Sequence, residues 1–98
     1  MRVVWTARAK ARLRQIYNYI AQDQPLNAER VVDRITLRAR QLIDQPRSGR
    51  MVTYYQRDDI RELIEQPYRI IYHVHPDRIE ILTVRDTRRV LPRRLDEL

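Results

Sequence analysis

The residues of this chain best suited to chemistry are its arginines. Arg61, Arg69 and Arg85 fall on three successive stretches rich in β-branched and aromatic residues, and Arg88 and Arg89 follow the last of them. A guanidinium group presents its N–H donors as a planar fork that matches a phosphate or a carboxylate. If the three stretches are neighbouring strands, these groups could converge on one surface and grip a phosphodiester or an acidic peptide. The competing reading is a solvated face on which the same cations neutralise Asp58, Glu62, Glu65 and Glu80. A second basic set, Arg8, Lys10, Arg12 and Arg14, lies off the apolar stripe of a helical pattern near the N-terminus. Arg8, Arg12, Arg61, Arg69, Arg85, Arg88 and Arg89 are accordingly the candidate partner-binding residues.

Other chemistries have thinner support. His73 and His75 form an H-x-H on one side of a strand, with Glu80 a possible neighbour across the following turn. Two imidazoles fall short of the third or fourth ligand that a zinc site needs, so no metal is expected. Cleaving RNA without a metal uses the 2′-hydroxyl as nucleophile and requires a base, an acid and cations for the phosphate. Arg61, Arg69, Arg85 and Arg88 would supply the cations, and a base would have to be His73, His75, Glu62 or Glu65. Beyond Glu80 only Asp86, Asp96 and Glu97 can carry a proton at an acid or base, and no Tyr or His follows His75. Tyr54, Tyr55, Tyr68 and Tyr72 could stack bases, although tyrosines on strands more often pack. Tyr17 falls in the first helix's apolar stripe and Tyr19 off it. The single glycine, Gly49, excludes a glycine-rich phosphate loop, and the lack of cysteine excludes disulfides and thiol catalysis. No cofactor is expected.

The elements that must position these residues follow from periodicity. At 98 residues the chain fits one domain, read as a core over 1–86 and a C-terminal tail over 87–98 whose order could come from a partner. Hydrophobic residues at 43% suffice for one compact core. The net charge of +7 is uneven: residues 1–49 hold 10 basic and 4 acidic side chains, residues 50–98 hold 10 and 9. Nineteen of the 20 basic residues are arginine, which points to an acidic or phosphate-bearing partner more than to solubility. No apolar run suits a signal peptide or the roughly 20 residues of a membrane span, so a cytoplasmic location is expected.

Met1–Trp5 predicts a strand and Thr6 an N-cap. Ala9, Leu13, Ile16, Tyr17 and Ile20 then make a helical stripe. Asp23-Gln24-Pro25 breaks the chain, with Asp23 a cap and Pro25 opening a second helix that runs to about Gln45. That helix has Ala28, Val31, Val32, Ile35, Ala39 and Leu42 on its core face. Strands are expected at Met51–Tyr55, Ile60–Glu65, Tyr68–His75 and Arg78–Arg85, with a tight turn at His75-Pro76-Asp77-Arg78. The order β-α-α-β-β-β-β describes an α+β fold, an antiparallel sheet with a two-helix hairpin on one face.

Several short motifs in sequence resemble toxins of the RelE/ParE superfamily. They are V-x-W-T-x-x-A from Val3, L-x-x-I-x-x-Y-I-A at Leu13–Ala21, D-x-P at Asp23–Pro25 and P-x-x-G-R at Pro46–Arg50. R-E-L at Arg61–Leu63, Y-R-I-I-Y at Tyr68–Tyr72 and I-x-I-L-x-V-x-x-x-R-R at Ile79–Arg89 complete the set. The resemblance implies the toxin of a type II toxin–antitoxin system, causing growth arrest and, in some settings, plasmid stabilisation. It also implies a small acidic antitoxin that wraps the toxin and binds operator DNA. RelE-like members cut mRNA on the ribosome with basic residues and a C-terminal Tyr or His; ParE-like members inhibit DNA gyrase. Arg69 occupies a position that carries arginine in active ribonucleases as well. Asp86 stands where many relatives have histidine, and the C-terminal Tyr or His is missing. The resemblance therefore favours the ParE-like branch, with ribosome-dependent mRNA cleavage as the alternative.

Overall fold

The computed structural model describes all of residues 1–98. Thr6 leaves the first strand, β1 (Arg2–Trp5), and caps α1 (Ala7–Ala21) by accepting a 3.0 Å hydrogen bond from Ala9 N. Asp23 and Gln24 both donate backbone N–H groups to Ile20 O, closing that helix. Gln24, not Asp23, is the N-cap of α2 (Pro25–Asp44), and it caps without a side-chain hydrogen bond. Asp23 is spent on the end of the previous helix, while Pro25, which has no N–H to satisfy, opens the next.

The second half forms β2 (Arg50–Met51), β3 (Ile60–Glu65), β4 (Tyr68–Val74) and β5 (Arg78–Asp86). The expected strand over Met51–Tyr55 is thus only two residues long. Val52 turns inward to bond Ile60 O, Thr53–Tyr55 coil into one 3-10 turn, and Gln56 at φ 52° ends it. The sheet order is β1-β5-β4-β3-β2. All pairings are antiparallel except at one edge, where β1 runs parallel to β5 from Arg2↔Arg78 to Trp5↔Ile81. The helical hairpin between β1 and the rest of the sheet makes that crossover possible.

Two cores result. Ala9, Val31, Ile35, Ala39 and Leu42 of the helices meet Leu63, Ile70, Tyr72, Ile79, Ile81 and Val84 of the sheet. On the opposite face Val52, Ile60, Ile71 and Leu98 form a smaller cluster, flanked by Tyr55, Leu82, Leu91 and Leu95. Residues 87–98, set apart as a tail by sequence, are therefore laid across the sheet, and their last residue is buried. Gly49 is a glycine for a steric reason: a Cβ there would stand 2.6 Å from Glu62 O, against the Tyr72 ring. The missing side chain lets Gly49 N donate a 2.9 Å hydrogen bond to the buried Tyr72 hydroxyl.

Candidate functional site

Strand alternation decides where the arginines go. Arg61 pairs with Tyr72, a residue of the helix-side core, whereas Arg69 and Arg85 are paired with each other on the opposite face. The three strand arginines therefore do not converge. Arg61 donates to Asp58 Oδ1 at 2.6 Å, Asp58 O at 2.9 Å and Gly49 O at 2.8 Å, stitching the loop before β3 to the turn before β2. Arg69 lies 3.4 Å from the carboxylate of Glu62, which is only 5% exposed, and donates to Thr87 O at 2.9 Å. Glu62 also pairs with Arg50 at 3.2 Å. Arg8 donates to Asp96 O and Leu98 O, both at 2.9 Å, and so pins the tail.

The other four candidates do share one place. Register with β1 stops at Ile81, so β5 beyond that residue has a free edge, and α1 runs alongside it. Between them opens a cleft of about 720 Å³ lined by Arg12, Arg85, Arg88 and Arg89, with Tyr19, Tyr68 and Asp86 among its walls. Four guanidinium groups and one carboxylate leave the cleft at +3.

Its electrostatics are unbalanced. Asp86 is taken by Arg88, which donates backbone N and Nε to Oδ1 at 2.8 and 3.0 Å and Nη2 to Oδ2 at 2.8 Å. These hydrogen bonds hold the Asp86 carboxyl well below the usual carboxylate range. Arg12, Arg85 and Arg89 have no carboxylate partner. The Nε atoms of Arg12 and Arg85, like that of Arg69, are buried without a hydrogen-bond acceptor. Burial, then the charges of Arg12 and Arg89, push the Arg85 guanidinium down from its ordinary value, as expected where cations crowd without an anion. Tyr68 is pushed up by burial and by the Asp86 charge. Tyr19 is 76% exposed at the rim.

No histidine enters the cleft. His73 and His75 lie towards the other end of β4, about 17 Å along the strand from Tyr68 at the usual rise per residue. Tyr19, Gln15 and Ile16 were not legible as cleft residues, since nothing local says that α1 crosses the free edge of β5. The available signal was the placement of Tyr19 off the helix's apolar stripe. Of the tyrosines weighed for stacking, Tyr72 is wholly buried and Tyr55 donates to Pro92 O at 2.8 Å, so both are structural.

The fold and the cleft together define a small α+β module that presents uncompensated arginine between a helix and a sheet edge, a class suited to seizing an acidic group. Comparison with known proteins narrows the class. Residues 3–91 match the model of the ParE toxin of type II toxin–antitoxin systems, parDE. "Toxin RelE2" of Caulobacter vibrioides is 38% identical over 89 residues, covering 90% of this chain and 97% of its own. "Putative toxin Y4kP" of Sinorhizobium fredii is 42% identical over 85 residues, covering 85% and 84%. Among solved structures, a chain of the chromosomal ParDE TA system from P. aeruginosa superposes with a TM-score of 0.73 at 25% identity, covering 88% of this chain and 95% of that one. The chain belongs to the ParE toxin family of type II toxin–antitoxin systems. No helix is long and apolar enough to cross a membrane.

Proposed function

We propose that this chain is a cytoplasmic toxin that arrests growth by binding DNA gyrase, and that a cognate acidic antitoxin silences it by filling the arginine cleft. The observation that carries this reading is the chemistry of the cleft. It gathers cations but holds no group poised to move a proton near neutral pH: the one carboxyl, Asp86, is locked ionised by Arg88, and Tyr68 is shifted away from neutrality. Such a site binds an acidic group tightly without breaking a bond. An antitoxin segment rich in Asp and Glu, folding as it docks, would give Arg12, Arg85 and Arg89 the carboxylates they lack.

A supercoiling assay with purified gyrase tests the proposal. Dose-dependent loss of supercoiling, relieved by antitoxin, is the expected result. Site-specific cleavage of mRNA in a translating extract, with gyrase untouched, would replace it with the second reading. That reading, a ribosome-dependent endoribonuclease, draws on the relative named RelE2 and on the exposed Tyr19 ring beside four arginines, which could stack an unpaired base. Stabilisation of plasmids belongs to either reading.

A further inference from the structure

A second cluster of chemically capable side chains lies away from the cleft, at the turn between β4 and β5. His73 and Glu80 are register partners across the two strands, and the turn after Val74, closed by a 2.9 Å bond from His75 N to Arg78 O, folds His75 back beside them. One ligand atom from each of His73, His75 and Glu80 lies within 4.8 Å of the other two. His75 Nε2 and Glu80 Oε1 are 3.2 Å apart. Two donors each about 2.1 Å from a metal ion, at angles near tetrahedral or octahedral, are separated by about 3.0–3.4 Å. That pair already has the separation of a coordination edge.

We propose that His73, His75 and Glu80 form a binding site for a divalent transition-metal ion of the zinc or nickel type. The ligand count that argues against a metal from sequence changes here, because the hairpin supplies the third donor. Two imidazoles and a carboxylate favour Zn²⁺, Ni²⁺ or Cu²⁺ over the all-oxygen cations calcium and magnesium. A supporting shell is present as well. Asp59 Oδ2 sits 2.9 Å from His73 Nε2 and is itself held in a fork by Arg57 at 3.0 and 2.7 Å. An imidazole that gives its Nε2 proton to a carboxylate keeps the Nδ1 lone pair free for a metal and is fixed in orientation. Asp59 is anchored in turn, since Val74 N donates to Asp59 O at 2.8 Å. The three ligands are between 21% and 31% exposed at the side chain, which leaves the solvent access needed to admit an ion and complete its shell. On binding, the ion takes the place of the hydrogen bond between His75 and Glu80, and the His75 proton moves to Nδ1.

The test uses the untagged full-length chain, stripped with a chelator, in calorimetric titrations with Zn²⁺ and Ni²⁺. The expected result is saturable binding of one ion per chain. Glu80→Gln should weaken it at least tenfold and His73→Gln with His75→Gln should abolish it. Asp59→Asn should weaken it by about tenfold, the effect of losing an outer-shell partner. A second readout avoids variants altogether: substoichiometric Ni²⁺ or Cu²⁺ should broaden the imidazole resonances of His73 and His75 first. Failure to saturate at millimolar metal, binding that survives the double histidine change, or broadening that spares both rings would each overturn the site. None of these outcomes depends on whether the chain acts on gyrase, the ribosome or neither.

Discussion

Arg12, Arg85 and Arg89 crowd one another with no carboxylate of their own, Arg85 holding only the Val90 carbonyl, whereas Arg61 and Arg69 are clasped by both carbonyls and acidic side chains. The residue type is the same. What differs is whether the fold has supplied an anion. Where it has, the guanidinium ties loops and strands together. Where it has not, like charges crowd one another, and the Nε atoms of Arg12 and Arg85 go without an acceptor, as does that of Arg69 in the paired set. An unpartnered buried donor costs about 1–3 kcal/mol. The cleft is thus an incomplete ion-pair network, whereas Arg61 and Arg69 each reach a carboxylate.

The sharpest break between the two sets comes from a double substitution. Arg12→Gln with Arg85→Gln should lower affinity for an acidic antitoxin about a hundredfold, since a charge-assisted hydrogen bond contributes about 1.5–3 kcal/mol. The same protein should unfold in urea at no lower a midpoint than the original, because the change removes repulsion. Calorimetry and equilibrium unfolding read the two halves. A large loss of stability would place these arginines with the structural set.

Arg69→Ala should do the reverse. It leaves Glu62, 5% exposed, with Arg50 alone and frees Thr87 O, so stability should drop by about 2 kcal/mol, below the 3–5 kcal/mol of a fully broken buried pair. Antitoxin affinity, measured where the variant is folded, should move by less than about threefold, on the scale of an indirect effect. This assigns Arg69 a role inside the fold, where the sequence motif suggested a surface one.

That reassignment shows what the sequence could carry. Helix stripes, the capping Thr6, Pro25 and the strands from Ile60 onward were readable because each is set by local periodicity and local hydrogen bonding. The α+β order followed. The parallel edge between β1 and β5 was not readable, since no residue near Val3 records which of the distant strands it joins. The short β2 escaped as well: Val52 is apolar and β-branched, and only the pull of Ile60 and Leu98 turns it inward. The tail's place had the same obscurity: Leu91, Leu95 and Leu98 have helical spacing, yet only Leu95–Glu97 coil, and the three leucines pack on the sheet instead. At the site, Arg12, Arg85, Arg88 and Arg89 were named as candidates by type, and the structure brings these four to one cleft. Separating them from Arg61 required the register, in which one position's shift sends a side chain to the other face, whereas Arg69 shares the face of Arg85 and differs by pairing with Glu62.

Ionic strength gives a smaller and more general contrast. Raising salt from 0.05 to 0.5 M (about a threefold shortening of the screening length) should weaken antitoxin binding by about tenfold while leaving the unfolding midpoint nearly flat. The cleft is open to solvent, and the Arg69–Glu62 pair is not. Affinity indifferent to salt would mean that the acidic segment binds through apolar contacts alone.

The smallest expected effect is also the finest test, because Asp86 belongs to both sets at once. It is the cleft's only carboxylate, and it is fully engaged by Arg88. Asp86→Asn raises the cleft from +3 to +4 and releases one guanidinium, so antitoxin should bind a few-fold more tightly, the scale of one partly screened charge. The stability difference between the two proteins should depend on pH in a defined way. The folded-state pKa of Asp86 is depressed below the usual carboxylate value of about 3.9, so its pairing stabilises the fold in full above that value. The contribution is lost as pH falls towards the depressed pKa. Unfolding curves of the two proteins should therefore differ by a constant between pH 5 and 8 and converge only below about pH 4. Convergence near neutrality would mean that Asp86 holds its proton at physiological pH, which would give the cleft an acid and return the ribonuclease reading to first place.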